Sequence, residues 1–133
     1  MANKGIVLKK QIVYLSGAML GCTDEECRDW RDFAKLYLKC RTLDPMVRDY
    51  RERPMDGMLD MVVNDKLDID GCDAVLVNFI KPSVGTSMEV LYAWERGKQV
   101  VLVVPNGTVI KPVARLSQPS CVSFYPGCCA AYK

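Results

Sequence analysis

The stretch DAVLVNFIKPSVGTSME, residues 73–89, runs directly into VLYAWERGKQVVLVVP and carries the strongest chemical signal in the chain. A short apolar run, Ala74 to Phe79, ends in a Pro/Ser/Gly loop, and a single carboxylate, Glu89, follows where the next helix is expected to begin. In open α/β sheets ligands bind beyond the carboxyl ends of the strands, where helix N-termini point at them. A glutamate delivered there is placed to do chemistry on a small ligand. On position alone it reads equally as a first-turn glutamate stabilised by the helix dipole. The chain contains no histidine, so the commonest general base and the commonest metal ligand are both absent. Catalysis must run on carboxylates, hydroxyls, thiols or backbone dipoles. No metal or redox cofactor is implied, and Met19, Met46, Met55, Met58, Met61 and Met88 read as core or pocket lining.

The elements that must position Glu89 follow from hydrophobic period and capping. Gln11 to Ser16 reads as a first strand, ending in the loop Gly17-Ala18-Met19-Leu20-Gly21-Cys22. Thr23 and Glu26 form a capping box, and Cys27, Trp30, Phe33, Ala34, Tyr37 and Leu38 recur at helical spacing to about Lys39. A second strand near Arg41 to Leu43 stops at Asp44-Pro45. Val47 to Gly57 is polar and charged and reads as a mobile loop. Met58, Leu59, Val62, Val63 and Leu67 mark a second helix ending before Gly71. Asp73 to Phe79 is continuously apolar after its first residue, as expected of a strand covered on both faces. Ser87 to Arg96 reads as a third helix closed by Gly97, with strands at Gln99 to Val104 and Cys121 to Tyr125 and a helical turn at Lys111 to Leu116. Alternating strands and helices imply a parallel sheet with right-handed crossovers. The expected fold is a flavodoxin-like or Rossmann-like three-layer α/β sandwich with a five-stranded parallel sheet.

Composition sets the outer bounds. With 133 residues, half of them apolar, the chain is expected to form one domain over residues 1–133. The 18 basic and 16 acidic residues are interspersed, without the basic run of a nucleic-acid footprint, so no nucleic-acid polymer is expected as partner. No apolar stretch approaches a membrane span, and MANKGIVLKKQ lacks the features of a signal peptide. The seven cysteines form no CxxC pair and read as reduced thiols of a cytoplasmic protein.

Three pieces fall at strand carboxyl ends or on helices facing them. They are Tyr14-Leu15-Ser16-Gly17, Asp65 on the second helix, and Ser83-Val84-Gly85-Thr86-Ser87-Met88-Glu89. Together they resemble the nucleoside 2-deoxyribosyltransferase family and, within it, the 2'-deoxynucleoside 5'-monophosphate N-glycosidases. The resemblance spans roughly Gln11 to Pro105 and rests on the YLSG strand, an Asp eight residues before the CDAV strand, and the block GTSMEVLYAWERGKQVV. It implies that Glu89 is the nucleophile, that Asp65 contacts the base and that Tyr14 orients the nucleophilic carboxylate. Tyr14 also reads as a strand residue with a satisfied hydroxyl, Asp65 as a surface helix residue, and Asp73 as structural. Ser83 stands where members acting on unphosphorylated nucleosides carry an aspartate; a serine matches the monophosphate N-glycosidases and avoids repelling a phosphate. Ser16, Gly17, Ser83, Gly85 and Ser87 are read through the likeness as substrate-binding, and Lys111, beyond its span, is added as a candidate substrate-binding residue. The first loop departs from the family, lacking the arginine of a GSIRG-like sequence. Ser16, Ser87, Lys111 or Arg115 is expected to compensate, in a homodimer or larger assembly that shares sites.

Other readings stay open. A phosphoribohydrolase of the lysine-decarboxylase-like type also ends its motif in GTxxE, but with a double glycine that this chain lacks. A Toll/interleukin-receptor-like NAD hydrolase shares the fold and a catalytic glutamate. A nucleotide-sensing domain would keep the fold without the reaction.

Overall fold

The computed structural model describes residues 11–104. Four parallel strands form one sheet: β1 (Ile12–Gly17), β2 (Arg41–Leu43), β3 (Ala74–Asn78) and β4 (Gln99–Val103), in the order β2-β1-β3-β4. Helices α1 (Asp24–Tyr37), α2 (Gly57–Gly71) and α3 (Val84–Glu95) connect them, with a short 3-10 turn at Pro45–Val47. The described sheet therefore has four strands rather than five. The strand expected at Cys121 to Tyr125, the turn at Lys111 to Leu116, and the candidates Lys111 and Arg115 lie outside the described residues.

Side-chain alternation on the two central strands divides the core into two layers. Tyr14, Val75 and Val77 face one side and pack with Ile69 of α2, Ala93 of α3 and Val100 of β4. Val13, Leu15 and Ala74 face the other and pack with Ala34 and Trp30 of α1. This is the three-layer sandwich, with α1 alone on one face and α2 and α3 together on the other. The chain leaves β1 toward β2 but leaves β3 toward β4, so the strand order reverses between β1 and β3. Right-handed crossovers then put α1 opposite α2 and α3. The gap between the β1 and β3 tips is the switch point where such sheets bind ligands.

Local chemistry explains the boundaries. Thr23 caps α1 through a complete capping box, with Glu26 reaching back to the Thr23 N–H at 2.9 Å. Asp73 is structural, as expected: its Oδ2 accepts from the Ile12 N–H at 2.9 Å and ties the start of β1 to the start of β3. Gly97 ends α3 with φ of +69°, a conformation that favours glycine.

Two sequence expectations need correction. Helix α3 begins at Val84 rather than Ser87, because Ser83 is its N-cap and accepts from the Thr86 N–H at 3.3 Å. The segment read as a mobile loop is tied down: Arg48 bonds α2, the Tyr50 hydroxyl accepts from Asn64 at 2.9 Å, and Arg51 bonds Asp49, Asp24 and the Cys22 carbonyl. The polar composition reflects charges that pair across elements, not mobility.

Candidate active site

Strand β1 turns Tyr14 and Ser16 toward the α2–α3 layer, and α3 turns Glu89 back to meet them. The Tyr14 hydroxyl donates to Glu89 Oε1 at 3.1 Å, and the Ser16 hydroxyl donates to Glu89 Oε2. Tyr14 and Ser16 are both fully buried. A buried hydroxyl needs a partner, and here two of them converge on the two oxygens of one carboxylate. Tyr14 is a buried strand residue with a satisfied hydroxyl, and the group that satisfies it is Glu89.

Glu89 is the sixth residue of α3, beyond the first turn where the helix dipole acts strongly. The expectation that a helix start keeps it ionised is therefore corrected. Burial pushes its pKa up to about 7; the Ser16 hydrogen bond opposes this, the Asp65 charge adds to it, and Tyr14 and Arg31 oppose it. Desolvation wins because two neutral hydroxyls and a more distant guanidinium replace a full hydration shell incompletely. The Tyr14 phenol is itself held well above its ordinary pKa, by burial first and then by the Glu89 and Asp65 charges, so it stays a donor.

Asp65 comes from α2 into the same cluster. Burial raises its pKa, while Arg48 lowers it by hydrogen bond and charge, Asp68 raises it, and a hydrogen bond with Glu89 lowers it. Two neighbouring carboxyls in a poorly solvated site share a proton more readily than both ionise. The reading of Asp65 as a plain surface helix residue does not fit this burial.

The remaining candidates separate from this cluster. Ser83, Gly85 and Ser87 occupy the cap and first turn of α3, where the Ser87 hydroxyl donates to the Ser83 carbonyl at 3.0 Å. Ser83 Oγ accepts the capping bond and keeps its own O–H proton for another acceptor. Gly17 is needed for packing: a Cβ there would lie 2.7 Å from the Trp30 ring.

Basic residues absent from the first loop reach it from elsewhere. Lys81, after β3, donates to the Gly21 carbonyl at 3.0 Å, and Arg51 donates to the Cys22 carbonyl at 3.2 Å. A cleft of about 360 Å³ opens beside this loop on the α1 face, lined by Ala18, Trp30, Asn78 and Lys81 with Glu25 and Glu26. Glu89 does not line it. The carboxylate cluster and this cleft thus lie on opposite sides of the β1 and β3 tips. Among the described residues no group of three or more His, Cys, Asp or Glu could hold a metal ion.

Sequence reasoning missed Arg31 and Arg48. Arg31 is fully buried in α1, where it donates to the Cys27 carbonyl at 2.6 Å and the Gly17 carbonyl at 3.1 Å and packs its guanidinium 4.5 Å from the Trp30 ring centroid. It pins the end of β1 and sends a positive field toward Glu89. Its one sequence signal was a charge on the inward side of α1, between Cys27 and Ala34.

No family model matches the chain, and no curated protein matches it. Among solved structures it is similar to a 2-deoxyribosyltransferase from the psychrotolerant bacterium Bacillus psychrosaccharolyticus. The TM-score is 0.62 at 18% sequence identity, over 75% of this chain and 77% of that one. The shared feature is the α/β fold with its parallel sheet.

Proposed function

We propose that the chain is an enzyme that cleaves the N-glycosidic bond of a (deoxy)nucleoside or its 5'-monophosphate, with Glu89 as nucleophile. The observation that carries this reading is the Glu89 carboxylate held by the Tyr14 and Ser16 hydroxyls, with Asp65 beside it, at the end of β1. The motif resemblance and the fold shared with a 2-deoxyribosyltransferase support it.

Breaking the bond between C1' and the base nitrogen develops oxocarbenium character at C1'. An ionised Glu89 oxygen on one face forms the new bond to C1' as the base leaves with the bonding pair. Asp65 meets the departing base by hydrogen bond and, in its protonated form, supplies the proton that the base takes up. Water or a second base then attacks C1' and releases Glu89. Two O–H donors fix the carboxylate without neutralising it, whereas a direct lysine or arginine partner would lower its nucleophilicity. No cofactor is required.

The finer reading is a 5'-monophosphate N-glycosidase, resting on serine rather than aspartate at position 83 and on the free O–H of that residue. A specific observation favours the alternative, base exchange between unphosphorylated deoxynucleosides. Arg51 is committed to Asp24 and Asp49 at 2.6 and 2.7 Å, and carboxylates line the neighbouring cleft, so the described residues offer a dianion little free positive charge. Incubation with a panel of nucleosides and monophosphates, with and without an acceptor base, tests both. Release of free base from none of them overturns the enzymatic reading. A kcat/KM at least about tenfold higher for monophosphates, equal to about 1.4 kcal/mol, supports the phosphate reading over the exchange reading.

A further inference from the structure

Arg48 has no assigned role, yet it meets the candidate catalytic cluster directly. It follows the 3-10 turn Pro45–Val47, which is docked by the buried Pro45 and Met46 and capped by Asp44, and its own N–H donates to the Pro45 carbonyl at 3.0 Å. The backbone is therefore fixed before the side chain extends. One nitrogen, Nη2, donates to Asp65 Oδ1 at 2.9 Å and to Asp68 Oδ2 at 2.7 Å. The two aspartates are three residues apart and share one face of α2. The Asp65 side chain is 14% exposed and that of Arg48 25%, so the pair is only partly screened by water.

We propose that Arg48 is a positioning residue: it holds the Asp65 carboxyl by one oxygen so that the other is presented to the leaving base. The proposal rests on the reading of Asp65 as the group that meets the base. A purely structural ion pair would be satisfied by Asp68 alone. Asp65 instead stands between Arg48 and Glu89, so the guanidinium holds its orientation and opposes the rise in pKa that burial imposes on it.

The charged surroundings of Asp65 come from every neighbouring element. Asp68 faces it from α2, Arg48 from the 3-10 turn, Glu89 from α3 and the Tyr14 hydroxyl from β1, with Arg31 of α1 acting on Glu89 from behind. Removing Arg48 leaves Asp65 facing Asp68 and Glu89 without the cation that Asp65 and Asp68 share, which favours the protonated form of Asp65. Asp65 also loses the partner that fixed its rotamer.

The test compares Arg48→Met and Arg48→Lys in the full chain, measuring base release from pH 5 to 10. In Arg48→Met, kcat is expected to fall at least about tenfold with KM changed less than about threefold, because the contact matters most as the base departs. The pH limb governed by Asp65 is expected to move up by at least about half a unit, since a cation favouring the carboxylate is gone. Arg48→Lys keeps the charge and is expected to restore the limb but recover kcat only in part, lacking the planar fork. Wild-type kcat and an unshifted limb in both variants overturn the proposal. Should Arg48→Met fail to fold, Arg48→Lys carries the test through its reduced kcat. If the wild type releases no base at all, the functional reading has failed and the positioning role falls with it, whereas an active wild type with unaltered variants overturns the positioning role alone.

Discussion

At Glu89 burial outweighs hydrogen bonding, and the resulting pKa of about 7 has consequences for rate and for stability. Nucleophilic attack needs the ionised form, so kcat/KM is expected to rise with pH through about 7, and a flat profile between pH 5 and 8 would count against the assignment. Tyr14→Phe removes a hydrogen bond that favours the carboxylate. The rising limb should move to higher pH, with a loss of roughly tenfold or more at neutral pH, because a hydrogen bond to a charged group is worth about 1.5–3 kcal/mol. Glu89→Gln should lower base release by at least about a thousandfold, the scale of a lost covalent catalyst. Its effect on folding has the opposite sign. A carboxyl whose folded pKa is raised from 4.5 to about 7 favours the folded state at low pH and disfavours it as pH rises through 7. Glu89→Gln should therefore gain on the order of 2 kcal/mol over wild type at pH 8.5 and little at pH 4, read by urea unfolding at both. Glu89, Asp65 and Tyr14 were each legible as candidates because their neighbours form motifs. Their mutual contact was not, since it joins β1 to α3 across 75 residues, and neither was the direction of the pKa shift, which depends on burial that a sequence does not display.

Helix α3 shows how one residue can serve an element and a substrate at once. Ser83 caps the helix, which begins three residues earlier than hydrophobic spacing suggests because the cap, not an apolar periodicity, sets its first turn at Val84, Gly85 and Thr86. Ser83→Ala should cost about 1 kcal/mol of stability by losing the cap. Ser83→Asp should cost almost none, aspartate being as good a cap and favourable at a helix N-terminus. It nevertheless places a negative charge where the monophosphate reading puts the phosphate. If that reading holds, Ser83→Asp lowers kcat/KM for monophosphates at unchanged melting temperature and spares nucleosides. Equal effects on both substrates would leave Ser83 as a cap only. The regular elements were readable because β1, β3 and β4 are short apolar runs and α1 carries a complete capping box. The segment from Arg48 to Arg51 was not, since its order comes from long-range pairs of Arg48 with α2 and of Arg51 with Asp24. Charge composition alone cannot distinguish such pairing from solvation.

At the scale of the whole molecule, the α2–α3 layer has a polar business side and an apolar outer one. Its inner side delivers Asp65 and Glu89 to the β1 tip. Its outer side exposes Leu59 and Leu67 of α2, at 71% and 61%, and Val84 and Met88 of α3, at 79% and 62%. Scattered exposed apolar residues are ordinary, but a set concentrated on two adjacent helices is a face that a second copy would cover. A two-fold axis against this face lets each copy cover the other's apolar residues with its own, the commonest closed symmetry for a soluble chain. It also brings a neighbouring chain to the helices that carry the candidate catalytic carboxylates, as the shared-site expectation requires. The assembly expected in solution is therefore a homodimer of twice 14.9 kDa, read by light scattering. Leu67→Glu combined with Met88→Glu should shift it to monomer without unfolding it, because both side chains are already exposed. If activity depends on the neighbour, base release per chain falls with the dimer and recovers as protein concentration rises. A wild-type mass of one chain at all concentrations, with full activity, would exclude the two-fold arrangement and place every group the reaction needs within a single chain.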